Sequence, residues 1–224
     1  MPRTMTPALE AEVKNLRKLY DAGIPLVPVI ARAKFPVVRG WNGPGYDPSW
    51  ESIEEHIRKG GNVGMRTGRA CRLPPPYHFT VSFDFDPQHF SKQTGSELRK
   101  KYREVLDVVK SHAIYFGGTP NGGYTAIFVS REPYLTNVKL VGSPKEGGSL
   151  VEVYGVGEQG EGRLKLLPPS WNGVRDYTTL TMNLSPSAMN WWDTHPDAIG
   201  KLGVTKARSL PPQANLCPIC RRKV

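Results

Sequence analysis

The run Phe79-Thr80-Val81-Ser82-Phe83-Asp84-Phe85-Asp86 alternates apolar and polar residues without a break. Such alternation fits a β-strand and does not fit a helix. Strand side chains repeat with period two, so the phenylalanines and Val81 share one face, and Thr80, Ser82, Asp84 and Asp86 share the other. The apolar face is expected against a core and the polar face in water. Two carboxylates therefore leave one face near the strand end. Side by side they repel, and a cation between them relieves the repulsion. A hard divalent ion such as Mg²⁺ or Mn²⁺ suits oxygen ligands. The plainer alternative is a strand end with two solvated aspartates.

The rest of the chain mixes helical and strand patterns. Thr6-Pro7 opens a helix with Leu9, Val13, Leu16 and Tyr20 at helical spacing, closed by Gly23. Leu26 to Ile30 is a short strand. Ser49 or Ser52 caps a second helix carrying Trp50, Ile53 and Ile57, which Gly60-Gly61 ends. Asn62 to Gly68 reads as a strand running into a glycine turn, and Pro74-Pro75-Pro76 as a stiff exposed loop. Ser96 starts a helix bearing Leu98, Tyr102, Val105 and Val109. Ala113 to Phe116 and Tyr124 to Val129 flank a turn-rich segment, a hairpin pattern. Leu150 to Tyr154 is another strand, and Arg163 to Leu167 is expected to pair with it. Ser185-Pro186 caps a last helix with Met189, Trp191 and Trp192. The expected class is α/β (α+β), mixed sheets with flanking helices: one domain over residues 1–200, then a polar linker or tail over 201–224.

Charge and composition narrow the partners. The formal net charge is +10 over 224 residues, which suits a polyanion, most commonly nucleic acid. No apolar run approaches the ~20 residues of a membrane span. Met1-Pro2-Arg3-Thr4 lacks the apolar core of a signal peptide, so a cytoplasmic location without membrane contact is expected. Three cysteines are too few for a disulfide scaffold. Cys217 and Cys220, in Cys-Pro-Ile-Cys, supply half of a four-ligand Zn²⁺ site. They are free thiols on a tail, part of a site completed further downstream, or a pair completed by His195 or His112, neither of which has ligand spacing to them.

Glu152 sits among β-branched residues in Leu150-Val151-Glu152-Val153-Tyr154. A carboxylate in an apolar strand is costly without a partner, although a water-facing sheet would tolerate it. If its strand lies beside that of Asp84, three acids converge, a ligand set suited to phosphoryl or nucleotidyl transfer.

The chain resembles the prim-pol domain of bifunctional DNA primase/polymerases, within the archaeo-eukaryotic primase superfamily. The resemblance runs from about Tyr20 to about Tyr177. It includes Ala22-Gly23-Ile24-Pro25-Leu26-Val27-Pro28, Lys34-Phe35-Pro36, Gly40-Trp41 and Gly61 to Gly68. Asp84-Phe85-Asp86 is similar to the family's first motif, and Gly122-Gly123-Tyr124-Thr125 lies where the second falls. Glu152 matches the third acidic position, and Leu167-Pro168-Pro169-Ser170 the segment after it.

The resemblance implies an RNA-recognition-like catalytic core with Asp84, Asp86 and Glu152 holding two Mg²⁺ or Mn²⁺ ions. It also implies a DNA template and nucleoside triphosphates as partners, with a helicase domain or protein beside it in plasmid or virus replication. Gly122 and Gly123 would let backbone approach phosphates. Where the family's second motif carries a phosphate-contacting histidine, this chain has Thr125, which is neutral. Lys34, Arg66 and Lys165 are the candidate substitute cations, and His112 is a further candidate. The expected activity is DNA primase/polymerase chemistry, making or extending primers. The alternatives are a degenerate module that binds single-stranded or primer-template DNA, and a metal-dependent nuclease.

Overall fold

The computed structural model describes residues 4–43, 46–91, 94–142, 149–157 and 161–207. Cys217 and Cys220 lie outside the described residues. Helix starts follow the capping residues in the sequence. Thr6 Oγ1 accepts from the Leu9 N–H (3.2 Å) and opens α1 (Pro7–Asp21). Ser49 Oγ accepts from the Ser52 N–H (3.3 Å) at α2 (Trp50–Arg58). After α3 (Ser96–His112), Ser185 Oγ accepts from the Ala188 N–H (3.4 Å) at α4 (Pro186–Thr194). Each cap satisfies an N–H that the first helical turn leaves unpaired. A short α5 (Pro196–Leu202) follows. No helix among the described residues is long and apolar enough to cross a membrane.

Among the described residues two sheets carry the strands. In the smaller, β1 (Leu26–Val29) and β2 (Asn62–Arg66), connected through α2, pair antiparallel, and β9 (Leu164–Leu167) joins the other edge of β2. The larger contains β3 (Gly68–Arg69), β4 (Phe79–Phe85), β5 (Tyr115–Gly118), β6 (Tyr124–Ser130), β7 (Asn137–Gly142), β8 (Ser149–Tyr154) and β10 (Thr178–Met182). Its order is β10-β5-β6-β4-β8-β7, with β3 pairing a further part of β4. The pairings of the named strands are antiparallel, so the sheets are not mixed in strand direction. The α+β class holds.

Strand β4 lies between β6 and β8 and is buried on both faces except at Asp84. Val81, Phe83 and Phe85 face a core with Tyr102, Val105 and Val109 of α3 and Trp191 and Trp192 of α4. The opposite face of the sheet contributes Ile127 and Val129 to a second core, with α1, α2 and the small sheet. The polar face of β4 is thus covered rather than wet. Thr80 meets this by donating its hydroxyl to the Arg66 carbonyl (3.0 Å), as a buried polar group must.

Strand β9 (Leu164–Leu167) pairs with β2 in the small sheet, Lys165 opposite Met65. The expected pairing of this segment with the Glu152 strand does not form, because β7 and β4 already occupy both edges of β8. The predicted hairpin does form, between β5 and β6. Residues 203–207 continue the packed body beyond the boundary expected at 200: Val204 and Ala207 are buried, and the Ala207 N–H donates to the Pro133 carbonyl (2.9 Å).

His112 ends α3 with its ring stacked on Trp191, centroids 4.3 Å apart. Burial, and then the nearby His195, hold its pKa below the ordinary 6.5. The folded state therefore binds this proton less readily than the unfolded state, and stability falls as pH drops below about 6.5. Melting curves at pH 7.5 and 5.5 are expected to show a smaller acid-induced fall in Tm for His112→Gln than for wild type.

Candidate functional site

The register builds the site. Asp84 is opposite Thr125 on β6 and opposite Glu152 on β8. Three side chains in one row across three strands therefore share a face. Asp86 follows β4 and is anchored by its N–H to the Leu150 carbonyl (3.0 Å). Carboxylate oxygens of Asp84, Asp86 and Glu152 lie within 4.8 Å of one another. The convergence inferred from the sequence is present, and all three residues are half-buried.

The small sheet brings the charge compensation. Asp84 Oδ2 pairs with the Lys165 ammonium from β9, and Oδ1 accepts from the Thr125 hydroxyl (3.1 Å). The same ammonium lies 3.6 Å from the centroid of the Tyr154 ring, a cation–π contact. Tyr154 donates its hydroxyl to Glu152 Oε2. Asp86 Oδ1 accepts from the Gln88 amide (2.6 Å). Burial first, then the bond to Glu152, then the charges of Asp84 and Asp86 push the Tyr154 phenol well above its ordinary value. Burial and the same two aspartates push Tyr177 to about 12. Both phenols stay protonated near neutral pH, and Tyr154 acts as a donor.

Asp84 and Asp86 open into a pocket of about 150 Å³ lined also by Lys34, Thr119, Asn121, Thr125, Lys165, Asn172 and Tyr177. A larger, mostly apolar groove of about 790 Å³, lined by Leu98, Val105 and Leu202 of α3 and α5, carries none of these acids.

Several expected site residues stand elsewhere. Arg66 is 3 % exposed, and its guanidinium donates to the carbonyls of Gly43 and Arg69. Burial lowers its pKa to about 10. It is a structural cation, because β2 is the middle strand of its sheet and every residue in it is buried. Gly122 sits at the β5–β6 turn with φ +79°, a left-handed conformation that favours glycine. A Cβ on Gly123 would lie 2.2 Å from the Phe85 carbonyl, so that glycine admits the neighbouring strand end. Neither glycine lines the pocket. Thr119 and Asn121 of the same turn do. His112 is exposed at the end of α3 and stacks on Trp191, whose ring packs in the core on the opposite sheet face. Thr125 is 4 % exposed and positions Asp84. Tyr154 and Tyr177 were not among the expected residues. Tyr154 was findable, since residue 154 shares a strand face with residue 152.

The donor set fits a hard divalent ion: clustered carboxylate oxygens whose mutual repulsion a single lysine only partly offsets. A bound metal would compete with Lys165 for Asp84. Lys165→Met is expected to lower stability by up to about 3 kcal/mol without metal, through the uncompensated carboxylates. It is also expected to enlarge the rise in Tm on adding Mn²⁺ beyond that of wild type. Thermal melts with and without the ion check both. No protein-family model matches this chain, and no curated protein sequence matches it.

Proposed function

We propose that the chain is a metal-dependent nucleotidyltransferase of the DNA primase/polymerase kind, joining nucleoside triphosphates to a primer on a DNA template. The observation that carries this reading is the convergence of Asp84, Asp86 and Glu152 within 4.8 Å beside a basic wall. Lys34 and Lys165 supply that wall's charge. The net charge of +10 suits a polyanionic template. The acids would hold Mg²⁺ or Mn²⁺, which when bound activates a hydroxyl nucleophile and stabilises charge on the leaving pyrophosphate.

The chain's own residues do the rest. Thr125 and Tyr154 fix the orientations of Asp84 and Glu152 through one hydrogen bond each. The Lys165 ammonium, once it leaves Asp84, meets a phosphate oxygen, as does exposed Lys34. Tyr177, kept protonated, and Asn172 offer neutral donors at the pocket wall. The nucleotide's phosphates thus enter against cations and hydroxyls while the carboxylates stay on the far side.

One observation favours a second reading. Lys165 already neutralises Asp84, as it would in a DNA-binding module whose acids are structural. Primer-extension assays with Mn²⁺ separate the two. Extension by wild type, lost at least a thousandfold in Asp86→Asn with DNA binding within twofold of wild type, is the expected result; such a loss is within the range that removing about 4 kcal/mol of transition-state stabilisation gives. Binding without extension in wild type favours the module, and strand cleavage in place of extension indicates a nuclease.

A further inference from the structure

Two loops rim the carboxylate pocket, and one buried side chain joins them. Residues 30–37 form a tight turn: the Ile30 N–H donates to the Phe35 carbonyl (2.8 Å) and the Val37 N–H to the Pro28 carbonyl (3.0 Å). Arg32 takes a left-handed conformation there (φ 59°). Its guanidinium lies 4.7 Å from the centroid of the Trp171 ring, which belongs to the second loop, residues 171–176. In that loop Asn172 Oδ1 accepts from the N–H groups of Val174 and Arg175 (2.9 Å each). Asn62, 2 % exposed, donates its amide to the Ala33 (3.4 Å) and Trp171 (2.9 Å) carbonyls and accepts from the Trp171 N–H (2.9 Å).

This braced rim turns apolar groups to water. Phe35 is 70 % exposed, Val37 51 %, Val38 46 % and Val174 82 %. A single exposed apolar residue needs no explanation, but a cluster beside a pocket does. Its charge is positive: Arg32, Lys34, Arg39 and Arg175 against Asp176. Lys34, which precedes Phe35, and Asn172 line the carboxylate pocket itself. An aromatic ring in a field of fixed cations is the combination that binds unpaired nucleotides, with bases on the ring and phosphates on the cations.

We propose that Phe35 is a stacking platform for an unpaired base of a single-stranded nucleic acid, whose backbone crosses Arg39 and Arg175 as it reaches the carboxylates. The proposal rests on the nucleotidyl-transfer reading for the polyanion's identity and adds where the strand lies. Double-stranded nucleic acid does not satisfy it, because paired bases are not free to stack on the ring. Phe35 is not needed for the fold, since most of its surface is in water.

The test is a fluorescence-anisotropy titration in metal-free buffer with a labelled oligothymidylate of roughly 20 nucleotides, longer than a typical single-strand site. An abasic strand of equal length is titrated in parallel. Wild type is expected to bind the base-bearing strand more tightly. Phe35→Ala is expected to weaken that strand by roughly five- to hundredfold, as removal of a stacking aromatic does, and to leave the abasic strand unchanged. Phe35→Trp should keep the preference. Arg39→Ala should weaken both strands equally and lower the salt slope by about one. Equal effects of Phe35→Ala on both strands, no effect on either, or no binding by wild type overturns the platform. Primer extension, assayed separately, tells the two ideas apart. Base-dependent binding without extension retains the platform and removes the nucleotidyl-transfer reading, while extension with base-blind binding does the reverse.

Discussion

The register of β4 between β6 and β8 is the constraint on which both core and site depend. A strand's side chains alternate with period two, so slipping β4 by one residue would send Val81, Phe83 and Phe85 out of their core and bring Ser82 and Asp84 into it. Phe83 alone contacts the rings of Phe85, Phe128 and Trp192. Burying one large aromatic is worth several kcal/mol. The aromatic packing therefore selects one register, and that register sets Asp84 opposite both Thr125 and Glu152. The acids are held together by the hydrophobic face behind them, against their own repulsion.

The second sheet supplies what the first lacks. Three clustered carboxylates with no cation would be expensive half-buried. Lys165 reaches them from β9, 81 residues along the chain from Asp84. The small sheet is thus an electrostatic counterpart to the large one as well as a cover for its polar face. Tyr154 joins them, its hydroxyl on Glu152 and its ring against the Lys165 ammonium.

Local signals in the sequence carried over well. Thr6, Ser49 and Ser185 cap helices where their spacing indicated, and the Asp-x-Asp alternation marked β4. The Asp84–Glu152 neighbourhood was legible because both acids break apolar strands at the same phase. What strand pairs with what was less so. Leu164 to Leu167 carries no mark of choosing β2 over β8, since pairing is decided by which edges remain open. Arg66 was a candidate only as a substitute cation, because Thr125 stands where the resembled family has a histidine. Its role as a donor to two carbonyls depends on loops distant in sequence. Gly123 serves a close approach, as its neighbours suggested, but the partner is the chain's own backbone at Phe85.

The dimensions of the pocket have a consequence of their own. About 150 Å³ is the size of a cavity that takes one benzene-sized ring. A bound nucleotide can place its charged end there, but the charged end and the base together are larger than the space. Whatever distinguishes one ligand from another beyond that charged end must be read outside the walls, by the rim or by a second molecule lying across it. Selectivity at such a site is shared between partners, and the protein alone recognises the common part.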